Sequence, residues 1–211
     1  MTQLENINAE LNRLFDVFNF HYYNDEIQKP VIIVQTNGKS KGTMGWCSCK
    51  KIWRNSQKNE YYYEITICGE YLYRSVEKIC STLLHEMVHL YCVEHNIKDT
   101  SRSNIYHNKK FKEVAEQHGL IIEYDERIGW SITKLTDEAK VFVKNNANEE
   151  VFVLTRITKI NLTEDGEEKE PKQSMRKYIC PGCGTIIRAT KNVNVQCADC
   201  NEMFVLSDNY V

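Results

Sequence analysis

The chain has 211 residues, of which 42% are hydrophobic, and a formal net charge of -2. This length and apolar content allow one substantial core and a small second module, which predicts a soluble globular protein. No segment approaches the roughly eighteen apolar residues of a membrane span, and the N-terminal residues lack the apolar core of a signal peptide, so we expect no membrane association.

The spacing of apolar residues and turn residues predicts helices and strands around one core. Four segments are predicted helices: residues 4–18, 75–96, 109–118 and 136–145. Six segments are predicted strands or extended pieces: residues 30–36, 44–53, 59–69, 120–124, 128–134 and 151–158. Short turns between the first three strands favour an antiparallel meander. A helix, a small antiparallel sheet and then further helices predict an α+β fold.

An acidic segment marks a predicted domain boundary. Residues 161–171, NLTEDGEEKEP, contain five acidic residues, one basic residue and no apolar residue after Leu162 other than the final proline. Such a segment cannot offset the entropy that its own ordering would cost. We therefore predict a domain at residues 1–160, a charged linker at residues 161–176 and a small module at residues 177–211.

The second predicted helix carries the motif HEMVH. Residues four apart on a helix lie nearly above one another, so His85 and His89 can present two imidazole nitrogens to one ion, with Glu86 beside it. This pattern is typical of a zinc site in which a carboxylate takes a proton from an activated water. The alternative is a buried helix with satisfied histidines, which would be costly without strong partners. We therefore favour a catalytic zinc, with Glu86 as the catalytic base.

Two histidines are candidates for the third ligand that a catalytic zinc normally has. His95 lies six residues after His89, an interval used by metzincins, but Cys92 stands where those proteins turn the chain at a glycine. On an unbroken helix His95 would point away from the metal face. His107 follows a turn-rich segment long enough to fold back onto the helix, and we favour it. We expect Cys92 to line the cleft.

Several motifs in this order resemble the SprT-like zinc metalloprotease family. They are LLHEMVHLYC at residues 83–92, IKDTSRSNIYHNKKFKEVAEQHGL at 97–120, GWSITKL at 129–135 and a C-terminal CPGCG followed by CADC. The resemblance covers most of the chain. It implies a zincin-like metalloprotease domain that cleaves proteins crosslinked or tightly bound to DNA, with His85, His89 and His107 as ligands and Glu86 as base. The chain departs from the family at Asn108, where glycine is frequent.

A second metal site is predicted from four cysteines: Cys180, Cys183, Cys197 and Cys200. Two C-x-x-C units can wrap one tetrahedral ion without an open position, so we predict a structural zinc ribbon. The chain should then bind two zinc ions, one catalytic and one structural. The nine cysteines are odd in number, which favours a reducing, cytoplasmic setting over a disulfide framework.

A stretch of the first domain is predicted to contact nucleic acid. Residues 27–59 contain seven basic residues and no acidic one. The predicted contacts are Trp46, Lys50, Lys51, Trp53 and Arg54. Basic side chains track phosphates and exposed aromatic rings stack on bases, a combination used for single-stranded DNA. The alternatives are a solvated hairpin whose tryptophans point into the core, and a contact made by the basic residues of the ribbon.

We expect a monomeric zinc endopeptidase with protein substrates and single-stranded DNA as a partner. The alternative function is a non-proteolytic nucleic-acid-binding adaptor that uses a zincin domain as a scaffold. Glu86 favours the enzyme, because a scaffold has no chemical need for that carboxylate beside a metal. Tyr106 and Arg102 are candidates for the group that stabilises the oxyanion.

Overall fold

The computed structural model describes residues 2–36, 42–157 and 175–207. The chain divides into two compact units, residues 1–158 and residues 159–211. Of the predicted linker, residues 161–174 lie outside the described residues. Within the described ranges, no helix combines the length and the apolar character needed to cross a membrane.

Four α-helices lie in the described part of the first unit, where the apolar spacing predicts them. Their bounds are α1 (Gln3–Tyr23), α2 (Val76–Glu94), α3 (Lys109–Gln117) and α4 (Asp137–Asn146). A capping box between Thr2 and Glu5 starts α1, and Asn24 ends it in the left-handed conformation. Short 3-10 helices follow at Gly69–Tyr71 and Glu149–Val151.

The strands of the described residues are short and form four small sheets. Their bounds are β1 (Val31–Gln35), β2 (Gly45–Cys47), β3 (Trp53–Asn55), β4 (Glu60–Tyr62), β5 (Glu64–Cys68), β6 (Thr100–Ser101), β7 (Tyr106–His107), β8 (Leu120–Asp125), β9 (Gly129–Leu135), β10 (Arg176–Ile179), β11 (Ile186–Ala189) and β12 (Val205–Leu206). The first unit contains sheets of order β1-β5-β2 and β6-β7-β9-β8 and the hairpin β3-β4; the second contains β11-β10-β12. This mixture of helices and small sheets confirms the α+β class.

The predicted antiparallel meander is wrong. Strand β1 pairs with β5 in parallel, with Val31 opposite Glu64, while β2 pairs antiparallel along the other edge of β5. The predicted strand at residues 44–53 ends at Cys47, since β3 begins only at Trp53 and pairs with β4. All five residues of β5 are buried, whereas β1 and β2 are partly exposed, so β5 gains most from the central position.

Helix α2 is the centre of the core. Its residues Leu83, Leu84, Met87 and Leu90 are fully buried among the side chains of α1, β5 and β8. Burial of one such side chain stabilises the fold by about 1.5–3 kcal/mol. Because the apolar residues occupy most of the helix surface, one narrow face carrying His85, Glu86 and His89 is left to line a cleft.

The predicted extended segment at residues 151–158 forms no strand in its described part. After the 3-10 helix ends at Val151, the chain runs along the first unit without pairing in a sheet. One backbone hydrogen bond, from the Arg156 N–H to the Gly69 carbonyl at 2.9 Å, holds it there.

Candidate metal centres

Three histidines from two elements meet in the first unit. His85 and His89 lie one turn apart on α2, and His107 ends β7. The Nε2 atom of His107 lies 3.2 Å from Nε2 of His85 and 3.0 Å from Nε2 of His89. The structure thus brings together the two histidines of the helix motif and the favoured third one.

The other nitrogen of each ring has its own hydrogen-bond acceptor. The Nδ1 atoms lie 2.5–3.2 Å from Thr133 Oγ1 for His85, the Asp99 carboxylate for His89 and the Ile128 carbonyl for His107. The Thr133 hydroxyl donates its hydrogen to the Ser131 carbonyl, so it accepts from His85. Each ring therefore carries its hydrogen on Nδ1 and directs a bare Nε2 lone pair toward the other two.

This donor set fits a zinc ion. Burial lowers the pKa of His85 well below its usual value and, together with His89, lowers the pKa of His107 to about 4. Both rings are therefore neutral at pH 7, with free lone pairs. Three imidazole nitrogens within 4.8 Å of one another, each on a ring whose other nitrogen has a hydrogen-bond partner, are typical of a zinc site with one open position.

Glu86 lies against this cluster. The side chain is 5% exposed and lines the same cleft as the three histidines. Burial raises the pKa of Glu86 to about 7, while a hydrogen bond from the backbone N–H of Cys47 acts in the opposite direction. A carboxyl group with a pKa near neutrality can both accept and donate a proton under physiological conditions.

Strand β2 forms one wall of the cleft, which has a volume of about 1160 Å³. The Ser48 N–H donates to Glu64 and the Met44 carbonyl accepts from Cys68, both at 2.9 Å. Because antiparallel pairing alternates, the backbone groups of Gly45 and Cys47 point away from β5, toward α2. Within the described residues β2 pairs with β5 alone, so this edge is open to the cleft.

Gly45 allows β2 to approach α2 closely. A Cβ atom at this position would lie 2.8 Å from the Thr66 carbonyl oxygen, 3.1 Å from Thr82 Cγ2 and 3.3 Å from Glu86 Oε1. The absence of a side chain therefore lets the cleft wall come within hydrogen-bonding distance of the Glu86 carboxylate.

A close contact with the backbone of Gly129 fixes the position of His107. Gly129, at the start of β9, has a φ of +77°, and a Cβ atom there would lie 2.1 Å from the His107 carbonyl oxygen. Next to His107, Asn108 caps α3 by accepting from the backbone N–H of Lys110 at 2.8 Å. Its φ of -92° needs no glycine, so the departure from the family pattern is compatible with the position of His107.

Two of the other residues considered from the sequence lie away from the histidine cluster. His95 is the C-cap of α2, where its Nδ1 lies 2.9 Å from the Tyr91 carbonyl and its Nε2 3.6 Å from Glu26. Cys92 is fully buried and does not line the cleft, so that expectation is wrong. The chain after α2 folds back over this turn, with the Ile97 N–H bonded to the Cys92 carbonyl at 2.8 Å.

Neither candidate for oxyanion stabilisation lines the cleft. The Arg102 guanidinium lies 4.5 Å from the ring centroid of Tyr106, and the Tyr106 hydroxyl lies 3.0 Å from that of Tyr124. These side chains form a separate aromatic and basic cluster on the surface.

Sequence reasoning missed Asp99 and Thr133, the partners of His89 and His85. The signal for Asp99 was present, since an acidic residue in the turn-rich segment between two ligands is a frequent hydrogen-bond partner of a ligand histidine. Thr133 lies 48 residues from His85, and its position depends on how β9 packs against α2. No local pattern indicates it.

The second unit brings together Cys180, Cys183, Cys197 and Cys200, whose sulfur atoms lie within 4.8 Å of one another. The two C-x-x-C turns have the same hydrogen bonds: Gly184 N–H to Cys180 and Asn201 N–H to Cys197, both at 2.9 Å. Gly184 and Asn201 both have positive φ, of 73° and 58°. Hydrogen bonds from Thr185 lower the pKa of Cys183 to about 6, whereas the hydrogen bond with Cys183 raises the pKa of Cys200, so Cys183 is the favoured thiolate of the cluster.

The residues predicted to contact nucleic acid divide between two surfaces. Trp46 lines the cleft and is half-buried, whereas Lys50, Lys51, Trp53 and Arg54 are exposed. Trp53 is 44% exposed, and its indole N–H donates to Glu64 at 2.8 Å. Neither tryptophan is buried in the core.

Comparison with known proteins identifies one family. The model of the SprT-like family matches residues 11–127, which include all three clustered histidines and Glu86. No curated protein and no solved structure matches the chain.

Proposed function

Because the chain belongs to the SprT-like family, we propose that it is a zinc-dependent endopeptidase with a zincin-like fold that cleaves proteins crosslinked or tightly bound to DNA. The observation that carries this proposal is the convergence of three bare Nε2 atoms beside the buried carboxylate of Glu86. One catalytic zinc at this cluster and one structural zinc at the four cysteines make up the proposed metal content.

His85, His89 and His107 would hold the catalytic ion through Nε2. When bound, zinc supplies a Lewis acid that polarises a carbonyl group and lowers the pKa of a water molecule. Glu86 accepts a proton from the attacking water and then donates it to the leaving amine. Asp99 and Thr133 hold the rings of His89 and His85 in the required tautomer and orientation.

The open edge of β2 suits a polypeptide substrate. An extended chain can add to a sheet edge through backbone hydrogen bonds, which do not depend on its side chains. Gly45 and Cys47 direct backbone groups toward the cleft, and the Cys47 N–H already reaches Glu86. A substrate strand paired with β2 would therefore pass directly beside the proposed catalytic base.

Single-stranded DNA is the proposed partner, and the exposed basic residues of the β3-β4 hairpin and the loop before it are its proposed binding surface. The Lys51 ammonium lies 5.3 Å from the Tyr63 ring centroid and the Arg54 guanidinium 5.7 Å from the Tyr61 ring centroid. The cations can attract phosphates, and the exposed ring of Tyr61 offers a stacking surface. DNA bound here would hold a DNA-linked protein near the cleft.

The proposed activity is tested with the full chain and a DNA-bound protein substrate, with and without added single-stranded DNA. We expect cleavage by the wild type, stimulated by DNA, and a loss of about 100-fold or more in Glu86→Gln with the zinc content unchanged. Glu113→Gln, an exposed glutamate on α3, is the matched control. DNA binding together with cleavage that Glu86→Gln does not affect would contradict the enzyme and favour the adaptor.

A further inference from the structure

One end of the cleft carries basic side chains that lack acidic partners. Arg74, just before α2, and Lys78, in its first turn, both line the cleft on the N-terminal side of Glu86. Lys78 is exposed, and no carboxylate of the described residues lies within 4.0 Å of either cation. Glu77 also lines this end of the cleft.

The guanidinium of Arg74 is only partly satisfied. Its Nε donates to the Tyr71 carbonyl and its Nη2 to Thr82 Oγ1, both at 3.0 Å, while Nη1 lies 2.9 Å from the sulfur of Met44, a weak acceptor. Each terminal nitrogen therefore keeps one N–H without an acceptor among the residues that the structure describes. Burial lowers the pKa of Arg74, whose guanidinium also lies 5.7 Å from the Tyr71 ring centroid, so a carboxylate ligand would stabilise this half-buried cation.

The distance from these cations to Glu86 suits an extended polypeptide. Thr82, which fixes Arg74, lies one helical turn before Glu86, or about 6 Å, and Lys78 lies about 12 Å before it. An extended chain advances about 3.3 Å per residue. A substrate side chain at this end would therefore stand about two to four residues from the cleaved bond.

We propose that Arg74 and Lys78 form a subsite for an acidic side chain of the substrate polypeptide, on one side of the cleaved bond. The two free N–H groups of Arg74 match the two oxygens of a carboxylate, and Lys78 adds a second positive charge. A polypeptide is favoured over a phosphate backbone because Arg74 contacts Met44, the residue just before β2. The subsite therefore lies at one end of the open edge of β2. The subsite deepens the proposed peptidase function and rests on it.

Binding to the inactive full chain tests the subsite without turnover. Zinc-loaded Glu86→Gln protein is titrated with two fluorescent peptides that differ only in carrying glutamate or glutamine two to four residues from a central apolar residue. We expect the glutamate peptide to bind about tenfold more tightly at low salt, since hydrogen bonds to charged groups are the stronger ones. This preference should fall as the salt concentration rises.

Two variants and one control locate the effect. Lys78→Glu should reverse the preference, and Arg74→Gln should remove most of it. Lys78 is exposed, so its variant tests the subsite even where Arg74→Gln perturbs folding. Lys144→Glu makes the same charge change on an exposed residue of α4 and should retain the preference. An equal loss in Lys144→Glu would show a net-charge effect and overturn the subsite.

Other outcomes separate the subsite from the proposed function. Equal binding of the two peptides overturns the subsite and leaves the peptidase standing if the wild type cleaves. Preference for the glutamate peptide without any cleavage by the wild type overturns the peptidase and retains an acidic-peptide site. Tight binding of a single-stranded oligonucleotide that Lys78→Glu abolishes, without a peptide preference, would assign this end of the cleft to nucleic acid instead.

Discussion

The two candidates for the third ligand, His107 and His95, differ in where their imidazole rings lie. The Nε2 atom of His107 lies beside those of His85 and His89. The Nδ1 atom of His95 instead lies beside the Tyr91 carbonyl, one turn earlier at the end of α2. His107→Ala should abolish proteolysis and lose one zinc equivalent, while His95→Ala should retain both metals. Zinc content measured by elemental analysis checks this. Loss of a metal in His95→Ala alone would reverse the assignment.

Asp99 should act on the metal through His89. Asp99→Asn keeps the size of the side chain but removes the charge that holds the His89 ring. We expect zinc affinity at this site to fall by about 10- to 100-fold, as is typical when such a partner is lost. Competition with a chelator measures it, and thermal unfolding of the zinc-loaded protein serves as the control for folding. Unchanged affinity would mean that Asp99 does not orient the ligand.

At the residue scale, what could be predicted from the sequence depends on sequence distance. His85, Glu86 and His89 lie on one helix, and the four cysteines lie in two local turns, so spacing alone indicates their roles. Asp99, Thr133 and the Cys47 backbone reach the cluster only through packing between elements. The orientation of these side chains therefore depends on tertiary packing, although local spacing indicates all of the candidate ligands except His107.

Among the elements, the approach of β9 to β7 determines where the third histidine lies. Gly129→Ala would force a methyl group against the His107 carbonyl, because an added Cβ atom would lie only 2.1 Å from the carbonyl oxygen. Loss of the catalytic zinc with retention of the ribbon zinc is the expected result. Gly42→Ala is the matched control, because Gly42 also has a positive φ, of +87°, but has no atom within 4 Å of an added Cβ. Similar zinc loss in both variants would indicate that strain at a positive φ causes the loss, and not the contact with the His107 carbonyl.

The helices were predictable because apolar residues recur at helical spacing along each of them. The order of the first sheet was not, because β1 and β5 are separated by residues 36–63 and pair in parallel, whereas nearest-neighbour pairing predicts a hairpin. The sequence of β5, EITIC, alternates polar and apolar residues, which is typical of a strand with one exposed face, so the burial of all five residues is evident only from the structure.

For the molecule as a whole, the two metal sites should be independent in stoichiometry, because their ligands come from separate compact units. Cys197→Ser should remove one zinc and leave the histidine site filled, while His89→Ala should do the opposite. Metal content after gel filtration distinguishes the four cases formed by the wild type, the two single variants and the double variant. A single zinc in the well-folded wild type would contradict two sites.

The proposed DNA surface is also testable in the whole chain. Reversing the charges of Lys50, Lys51 and Arg54 to glutamate should weaken single-strand binding and flatten its salt dependence, since fewer counterions would be released. Zinc content should stay the same. Arg188→Glu and Lys191→Glu, which lie in the second unit, provide the comparison. A larger loss in that pair would assign the main contact to the ribbon.

The outer position of β2 has a consequence for the local stability of the cleft. Strand β5 pairs with a strand on both sides, whereas β2 pairs with a strand on one side only and can detach without separating β1 from β5. Amide hydrogen exchange should therefore be slow at Ile65 and Ile67 and faster at Trp46. Strand β2, the cleft wall that would bind a substrate, should therefore open at a lower free-energy cost than β5. A bound substrate strand should slow amide exchange in β2 more than in β5.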